Sequence, residues 1–300
     1  MNTVSEIEYV LQTTINALPP LLLAGLGGMI TSKIQILNLG LEGMMLVGAF
    51  AAVVTNVFTG SPLMGLLVAI LVSSAIGVIF AFLNLKFKVD NVIVSVGINL
   101  FAIAVTRYML TTLFGVSGAF SSDKIVKLPV VHLAFLEQIP ILNVFSRLSI
   151  VFWLAIGIMA ALSYVINNTP LGLHVRAVGL NDVAVDTAGV DSLRIKYGCI
   201  ILSGAFCGLA GAYLSTSYLS MFTVGMTNGR GYLGNIASII GGRSALGTLF
   251  GTLIFSLTEG MTMKIQTMGF PSQLIQLTPY LIAFAVVITM AVVRKRRQLS

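Results

Sequence analysis

The stretch Thr169–Lys196, TPLGLHVRAVGLNDVAVDTAGVDSLRIK, interrupts an otherwise lipid-soluble chain. It holds Arg176, Asp182, Asp186, Asp191, Arg194, Lys196 and His174, whereas only 9% of all residues are charged. Bilayer hydrocarbon tolerates such a stretch poorly, so it belongs in water or on another protein. Its alanines and small apolar residues recur between the charges, as in a loop that packs on something.

Outward from this island the chain reads as membrane protein. Hydrophobic residues make up 57% and mean hydropathy is +0.99. The 300 residues allow about eight to ten spans, and apolar stretches continue throughout. A single membrane domain over residues 1–300 is therefore expected, not a soluble domain with an anchor. The net charge of +7 comes from basic residues that are dispersed or clustered at the C-terminal end. They are not interleaved with aromatics, which points to orientation in a lipid membrane and not to nucleic acid. Cys199 and Cys207 stand about 12 Å apart on a straight helix, too far for a disulfide, and read as buried small hydrophobes. The first residues, MNTVSEIEYV, lack the basic region of a cleaved signal peptide.

Upstream of the island the pattern predicts five spans. Tyr9–Ser32 is uncharged, and Pro19-Pro20 with Gly25, Gly27 and Gly28 implies a kinked helix lying close to a neighbour. The uncharged run Gly43–Leu85 is too long for one crossing and splits at Thr59-Gly60-Ser61-Pro62 into a hairpin closed by Lys86 and Lys88. Asn91–Phe114 follows. Residues 115–146, polar and broken by Pro129 and Pro140, read as an external loop whose run VVHLAFL could lie along the membrane surface. Leu148–Ile166 leads into the island.

Downstream, Tyr197–Tyr218 carries Gly204, Gly208 and Gly211 at a spacing that lets helices pack closely. Gly231–Gly242 is only 12 residues, about 18 Å of helix against a core of about 30 Å. It either extends backwards through Val224–Gly229 or is a half-membrane segment sheltered by protein. Ala245–Thr262 and Leu274–Val293 bring the tally to about nine segments, ahead of the tail Arg294-Lys295-Arg296-Arg297.

Charge orients this chain. With the tail inside, Lys33, Lys86, Lys88, Arg176, Arg194, Lys196, Arg243 and the four tail residues all fall on the cytoplasmic side, 11 of the 17 basic residues. Glu6 and Glu8 fall outside with the N-terminus. The island at residues 168–196 is then a cytoplasmic loop.

Polar residues inside such a chain are candidates for function. Asn38 and Glu42 share a helix face at i,i+4 spacing in LNLGLEGMM. They suit either a polar pathway or a helix start, with Asn38 as cap and Glu42 at the positive helix end. Asn99, Arg107, Asn235 and Glu259 are the further candidates, each open to a purely structural hydrogen bond. Catalytic and phosphate-cradling motifs are missing, and His132 and His174 sit in separate loops, so no enzyme activity is expected. Asp182, Asp186 and Asp191 lack the spacing of a calcium loop and read as solvent-facing or paired.

LNLGLEGMMLVGAFAA, the island, SGAFCGLAGAYL and NGRGYLGNIASIIGG together resemble the membrane permeases of ABC importers. The branch is the one that groups branched-chain amino acid, ribose-type sugar and nucleoside permeases, and the segments NLGLEGMMLVGAF and GRGY look closest to the nucleoside (simple-sugar-like) members. The likeness runs from about Leu18 to Val293. It implies an all-α polytopic membrane protein, a helical bundle of the type II importer kind, in the bacterial cell membrane with its C-terminus cytoplasmic. It implies that the island forms coupling helices docking on a separate ATPase, which binds the ATP and magnesium, so that this chain needs no cofactor. Gly172, Arg176, Ala177, Gly179, Ala188 and Gly189 match the pattern G-x-x-x-R-A-x-G…A-G of that loop. Arg243-Ser244-Ala245 departs from relatives that carry Trp or Asn before Pro. The implied partners are ATPase subunits, a second permease, identical or different, and an extracellular substrate-binding lipoprotein. Nucleosides are the implied cargo, with a ribose-type sugar importer as the alternative and a gradient-driven carrier working alone as the reading from another class. Asn38, Glu42, Asn99, Asn235 and Glu259 are the residues expected along the pathway.

Overall fold

A computed structural model describes residues 3–132 and 142–266, together with Leu281 and Phe284. The expected span Leu274–Val293, apart from those two residues, and the basic tail lie outside the described residues.

Within them the regular structure is helical apart from four strands of two or three residues. Six helical stretches are long and apolar enough to cross a membrane: Glu6–Lys33, Leu41–Thr59, Pro62–Lys86, Asn91–Phe114, Ile150–Asn168 and Ser192–Tyr218. These match the first six expected spans. Helix α1 (Thr3–Lys33) continues through Pro19 and Pro20. Helix α2 (Leu41–Thr59) ends on Gly60 in the left-handed region, φ 66°, and α3 (Pro62–Ala81) starts at once, with Ser61 as its N-cap and Pro62 in its first turn. The hairpin read from TGSP is formed by those residues. Helix α4 (Asn91–Phe114) is capped by Asp90, whose carboxylate accepts from Val92 N at 2.8 Å.

The segment after α4 is a folded cap, not a surface-lying helix, in its described part. Strand β1 (Ala119–Phe120) pairs antiparallel with β4 (Phe222–Thr223), and β2 (Val130–His132) with β3 (Arg147–Ser149). The run expected to lie along the membrane thus begins as a strand, and its remainder lies outside the described residues. Asn56 joins this cap to α2, since Nδ2 donates to Val126 O at 2.7 Å and Val126 N donates back to Oδ1 at 3.2 Å.

Helix α5 (Ile150–Asn168) leads into two short helices, α6 (Pro170–Leu180) and α7 (Asp182–Thr187), and then α8 (Ser192–Tyr213). The helix expected in Gly231–Gly242 is short, is not extended backwards as helix, and is sheltered by protein on one side. Helix α9 (Arg230–Ile240) is 11 residues, about 16 Å, and residues 224–229 before it are turn. It therefore cannot cross alone, and α10 (Ala245–Gln266) is the last described helix. So the described residues hold six crossing-length apolar helices, the half-helix α9, and α10.

Helices α1, α2 and α8 form the centre, where small residues replace side chains. Gly204 and Gly208 of α8 lie on α3 and Gly211 on α2, so close that Cβ atoms there would come within 2.7, 2.5 and 2.2 Å of the carbonyl oxygens of Ser73, Ala69 and Met45. Gly157 of α5 has nothing within 4 Å. Gly208→Ala should lower stability by about 1–3 kcal/mol through overpacking, whereas Gly157→Ala should raise it by about 0.5–1 kcal/mol through helix propensity. Thermal unfolding of the two purified variants in detergent separates them.

Candidate functional site

Between Lys33 and Leu41 the chain is not helical, and this break can be placed by its neighbours. Gly27 of α1 packs on Ser203, and Asn38 Nδ2 donates to the same Ser203 Oγ at 3.4 Å. Asn38 is therefore level with Gly27, six residues or about 9 Å back along α1 from its Lys33 end. The chain leaves α1, turns back into the bundle, and starts α2 at that depth. A second break lies opposite, where residues 219–229 lead down to the start of α9. The break before α2 and the start of the short helix α9 thus meet inside the protein.

Glu42 joins them. Gly229 N donates to its Oε1 at 2.7 Å and Gly231 N to its Oε2 at 2.8 Å, so this one carboxylate caps the N-terminus of α9. The free amides and the helix dipole there both favour an anion. Glycine is required at 231, because a Cβ would lie 2.8 Å from the Glu42 Cα. Glu42 was expected either at its own helix start or along a polar pathway; its carboxylate caps another helix, 187 residues away.

The asparagines hold the first break. Asn38 is fully buried; its Oδ1 accepts from Gly40 N at 2.9 Å, and its backbone oxygen accepts from Asn235 Nδ2 at 3.3 Å. It makes a local turn, and the N-cap of α2 is Gly40, without a side-chain cap. Asn99 of α4 accepts from Gly43 N at 2.8 Å and donates to Leu39 O at 3.1 Å and the Tyr232 hydroxyl at 2.7 Å. Ser95 accepts from Leu39 N at 3.0 Å. The unwound backbone that lipid could not solvate is thus satisfied by side chains.

Four of the expected pathway residues, Asn38, Glu42, Asn99 and Asn235, converge here. Glu259 does not. It lies on α10, paired with the buried Arg230 and accepting from the Tyr218 hydroxyl at 3.3 Å. Arg107 lies on the exposed side of α4 and joins neither group. Sequence reasoning missed Ser95, Ser203, Tyr232 and Arg230. The signal for the last two is NGRGY: glycines on both sides of the first residue of a short apolar helix mark an N-terminus whose amides are open to an acceptor.

The polar loop is built from caps. Thr169, Asn181 and Asp191 cap α6, α7 and α8, accepting from Gly172 N at 3.3 Å, Ala184 N at 3.0 Å and Arg194 N at 3.0 Å. Asp186 accepts from Ser192 N and Oγ at 2.9 and 3.0 Å. Asp182 pairs with Lys196 at 2.6 Å, and that ammonium holds its carboxyl below the ordinary aspartate range. The contact is present above about pH 4 and is lost as the carboxyl protonates at lower pH. All three aspartates are occupied in fastening the loop.

Among the residues matched to the coupling pattern, the structure separates seat from surface. Gly172 and Gly179 are seats: a Cβ would fall 2.2 Å from Val165 O and 1.8 Å from Lys33 O, so α6 rests directly on the ends of α5 and α1. Ala177 packs partly against the core. Arg176, Ala188 and Gly189 are exposed. So are Leu180, at 88%, and Val183 and Leu173, an apolar surface within a charged loop.

Long apolar helices packed through glycines, two broken crossings pinned together at depth, and a seated polar loop with an apolar outer face define a membrane transport permease. The chain belongs to the branched-chain amino acid transport system permease component family, whose pattern matches residues 10–292. It is 28% identical to the guanosine ABC transporter permease protein NupQ of Bacillus subtilis, over 87% of this chain and 84% of that protein. It is 27% identical to the nucleoside ABC transporter permease protein NupC of Lactococcus lactis, over 95% and 93%. The glucose ABC transporter permease protein TsgB13 of Haloferax volcanii is 26% identical, over 88% and 72%. In fold the chain is similar to a solved protein described as a metal-chelate type ABC transporter in an inward-facing conformation, with TM-score 0.53 over 93% of this chain and 85% of that one, at 16% identity. The protein is a multi-pass membrane permease.

Removing the Glu42 carboxylate tests the joint. Glu42→Ala leaves two part-buried amides without their acceptor and should cost about 1 kcal/mol for each. Glu42→Gln keeps one acceptor and should cost about half as much. Hydrogen exchange at Gly229 and Gly231 should accelerate in the order wild type, Gln, Ala.

Proposed function

We propose that this chain is the membrane-spanning subunit of an ATP-driven importer of nucleosides. The likeness to nucleoside permeases along nearly the whole chain carries the substrate class. The chain carries out no chemistry on its cargo; it supplies one wall of the passage and receives force. It works with a second permease subunit, with ATPases that bind ATP and magnesium, and with an extracellular binding lipoprotein.

In this reading the Lys33 end of the bundle faces the cytoplasm and the Glu6–Lys264 end faces outward. Counting each broken segment as one crossing, and the span Leu274–Val293 as the last, gives about nine crossings with the N-terminus outside. The ATPase docks on Leu180, Val183 and the exposed Arg176, Ala188 and Gly189. Support for force transfer comes from Gly179, whose contact with Lys33 O leaves no compliant side chain between α6 and α1. Lys33 is the last residue before the first break, so a tilt of α6 is delivered to the joint directly. Asn38, Glu42, Asn99 and Asn235 then act as its hinge, and Glu259 with Arg230 holds the outer part of α10 to the α9 start. A sugar importer is the second reading, favoured by the likeness to TsgB13.

The test is uptake by the complex reconstituted in liposomes. A purine nucleoside should accumulate with ATP and not without it; equal uptake in both conditions would sink the proposal, and uptake of ribose or glucose in place of nucleosides would select the second reading. Arg176→Glu should insert and fold normally yet lose at least about tenfold in ATP-driven uptake, corresponding to ~1.4 kcal/mol of docking.

A further inference from the structure

A cavity of about 120 Å³ opens beside the seat of α6, at the Lys33 end of the bundle. It is lined by Lys33 of α1, Ser163 and Asn167 of α5, and Arg243, Ala245 and Leu246 at the start of α10. Arg176 of α6 lies close enough for its charge, with that of Arg243, to act on Lys33. Among the described residues, no carboxylate pairs with Lys33, Arg176 or Arg243. The ion pairs seen there lie at other places, among them Arg194–Asp191, Lys196–Asp182, Arg230–Glu259 and Lys264–Glu6. Three like charges converge, two of them on one polar cavity, and repel one another unless an anion stands between them.

We infer that this cavity holds the phosphate of an anionic phospholipid, with Lys33 and Arg243 as its cationic ligands. The volume equals that of about four waters in the liquid, room for a phosphate group. Ser163 and Asn167 supply neutral hydrogen bonds, and the opening turn of α10 adds its positive end. The surroundings select a lipid over a soluble anion. Leu246, Phe250 and Ile254 follow one another at i, i+4 and i+8 on α10 and are 55, 64 and 46% exposed. They form an apolar track about 12 Å long that leads away from the cavity along the bundle. A headgroup between the cations places its acyl chain on that track. Basic pockets between transmembrane helices bind anionic headgroups by the same physics. The site shares Lys33 with the seat of α6, so an occupied cavity would brace the α1 end on which that helix sits. The inference does not depend on the cargo being a nucleoside.

The experiment uses the purified, delipidated full chain in detergent, titrated with phosphatidylglycerol, phosphatidylcholine or inorganic phosphate while its unfolding temperature is followed. Phosphatidylglycerol should raise that temperature saturably; the other two should leave it unmoved. The Lys33→Gln/Arg243→Gln double variant should need about 10- to 30-fold more phosphatidylglycerol for the same shift, and Arg243→Gln alone, the fallback if the double variant fails to fold, about fivefold more. An equal shift with phosphatidylcholine, or an undiminished shift in the variants, overturns the inference. So does a shift produced by inorganic phosphate alone. Loss of ATPase association with phosphatidylglycerol binding intact would make the cluster a protein-docking face and also overturn it.

Discussion

The Glu42 carboxylate, held by the amides of Gly229 and Gly231, is the contact that makes the rest of the bundle permissible. Helix α9 is only about half as long as the hydrocarbon core is thick, and a helix that begins inside the bundle presents amides that need an acceptor there. Each would cost several kcal/mol if left open to lipid. One half-buried side chain from another part of the chain supplies the acceptor, and the dipole of α9 in turn favours its negative charge. Neither break is tolerable without the other. The segment after α1 brings Glu42 to this depth, and the N-terminus of α9 gives Glu42 its partners.

The joint also explains why the neighbouring helices are so closely fitted. If the joint acts as the proposed hinge, it transmits motion only where the elements beside it do not yield. Gly204, Gly208 and Gly211 remove the side chains that would cushion α8 against α2 and α3, and Gly179 does the same between α6 and α1. A packed interior of this kind has discrete arrangements and resists continuous deformation. From the polar loop to the joint the chain offers one rigid contact and then Lys33, after which the break begins.

Much of this was legible in the residues. Uncharged runs marked the six long helices, and Thr59–Pro62 marked the hairpin by its turn chemistry. The same arithmetic that exposed Gly231–Gly242 as too short for a crossing revealed the half-helix. The first break was harder, because Ile34–Gly40 is as apolar as the helices around it. Hydropathy reports where a segment dissolves, not whether its backbone is helical. The polar residues Asn38, Glu42, Asn99 and Asn235 could be picked out one at a time by their cost in lipid, but their partners could not. Glu42 pairs with main-chain amides, which have no sequence signature, across a separation that no local pattern spans. The strand Val130–His132 was missed for a related reason: its pairing with Arg147–Ser149 is set by tertiary structure, and its residues suit a surface-lying segment equally well.

The state of the α9 N-terminus bears on what drives this chain. In carriers powered by ion gradients, broken helices turn their free ends towards the substrate or the coupling ion, and binding there triggers the change of shape. Here the free end is filled by the chain's own carboxylate, and the asparagines around it bond to one another's segments and to main chain, with only the buried Asn235 Oδ1 among their side-chain groups left without a partner. A coupling ion at this place would first have to displace Glu42 from two amides. In the proposed mechanism the joint is moved and not loaded, and its force is delivered at another point. The seated loop over Lys33, apolar on its outer face, is where the described structure offers one.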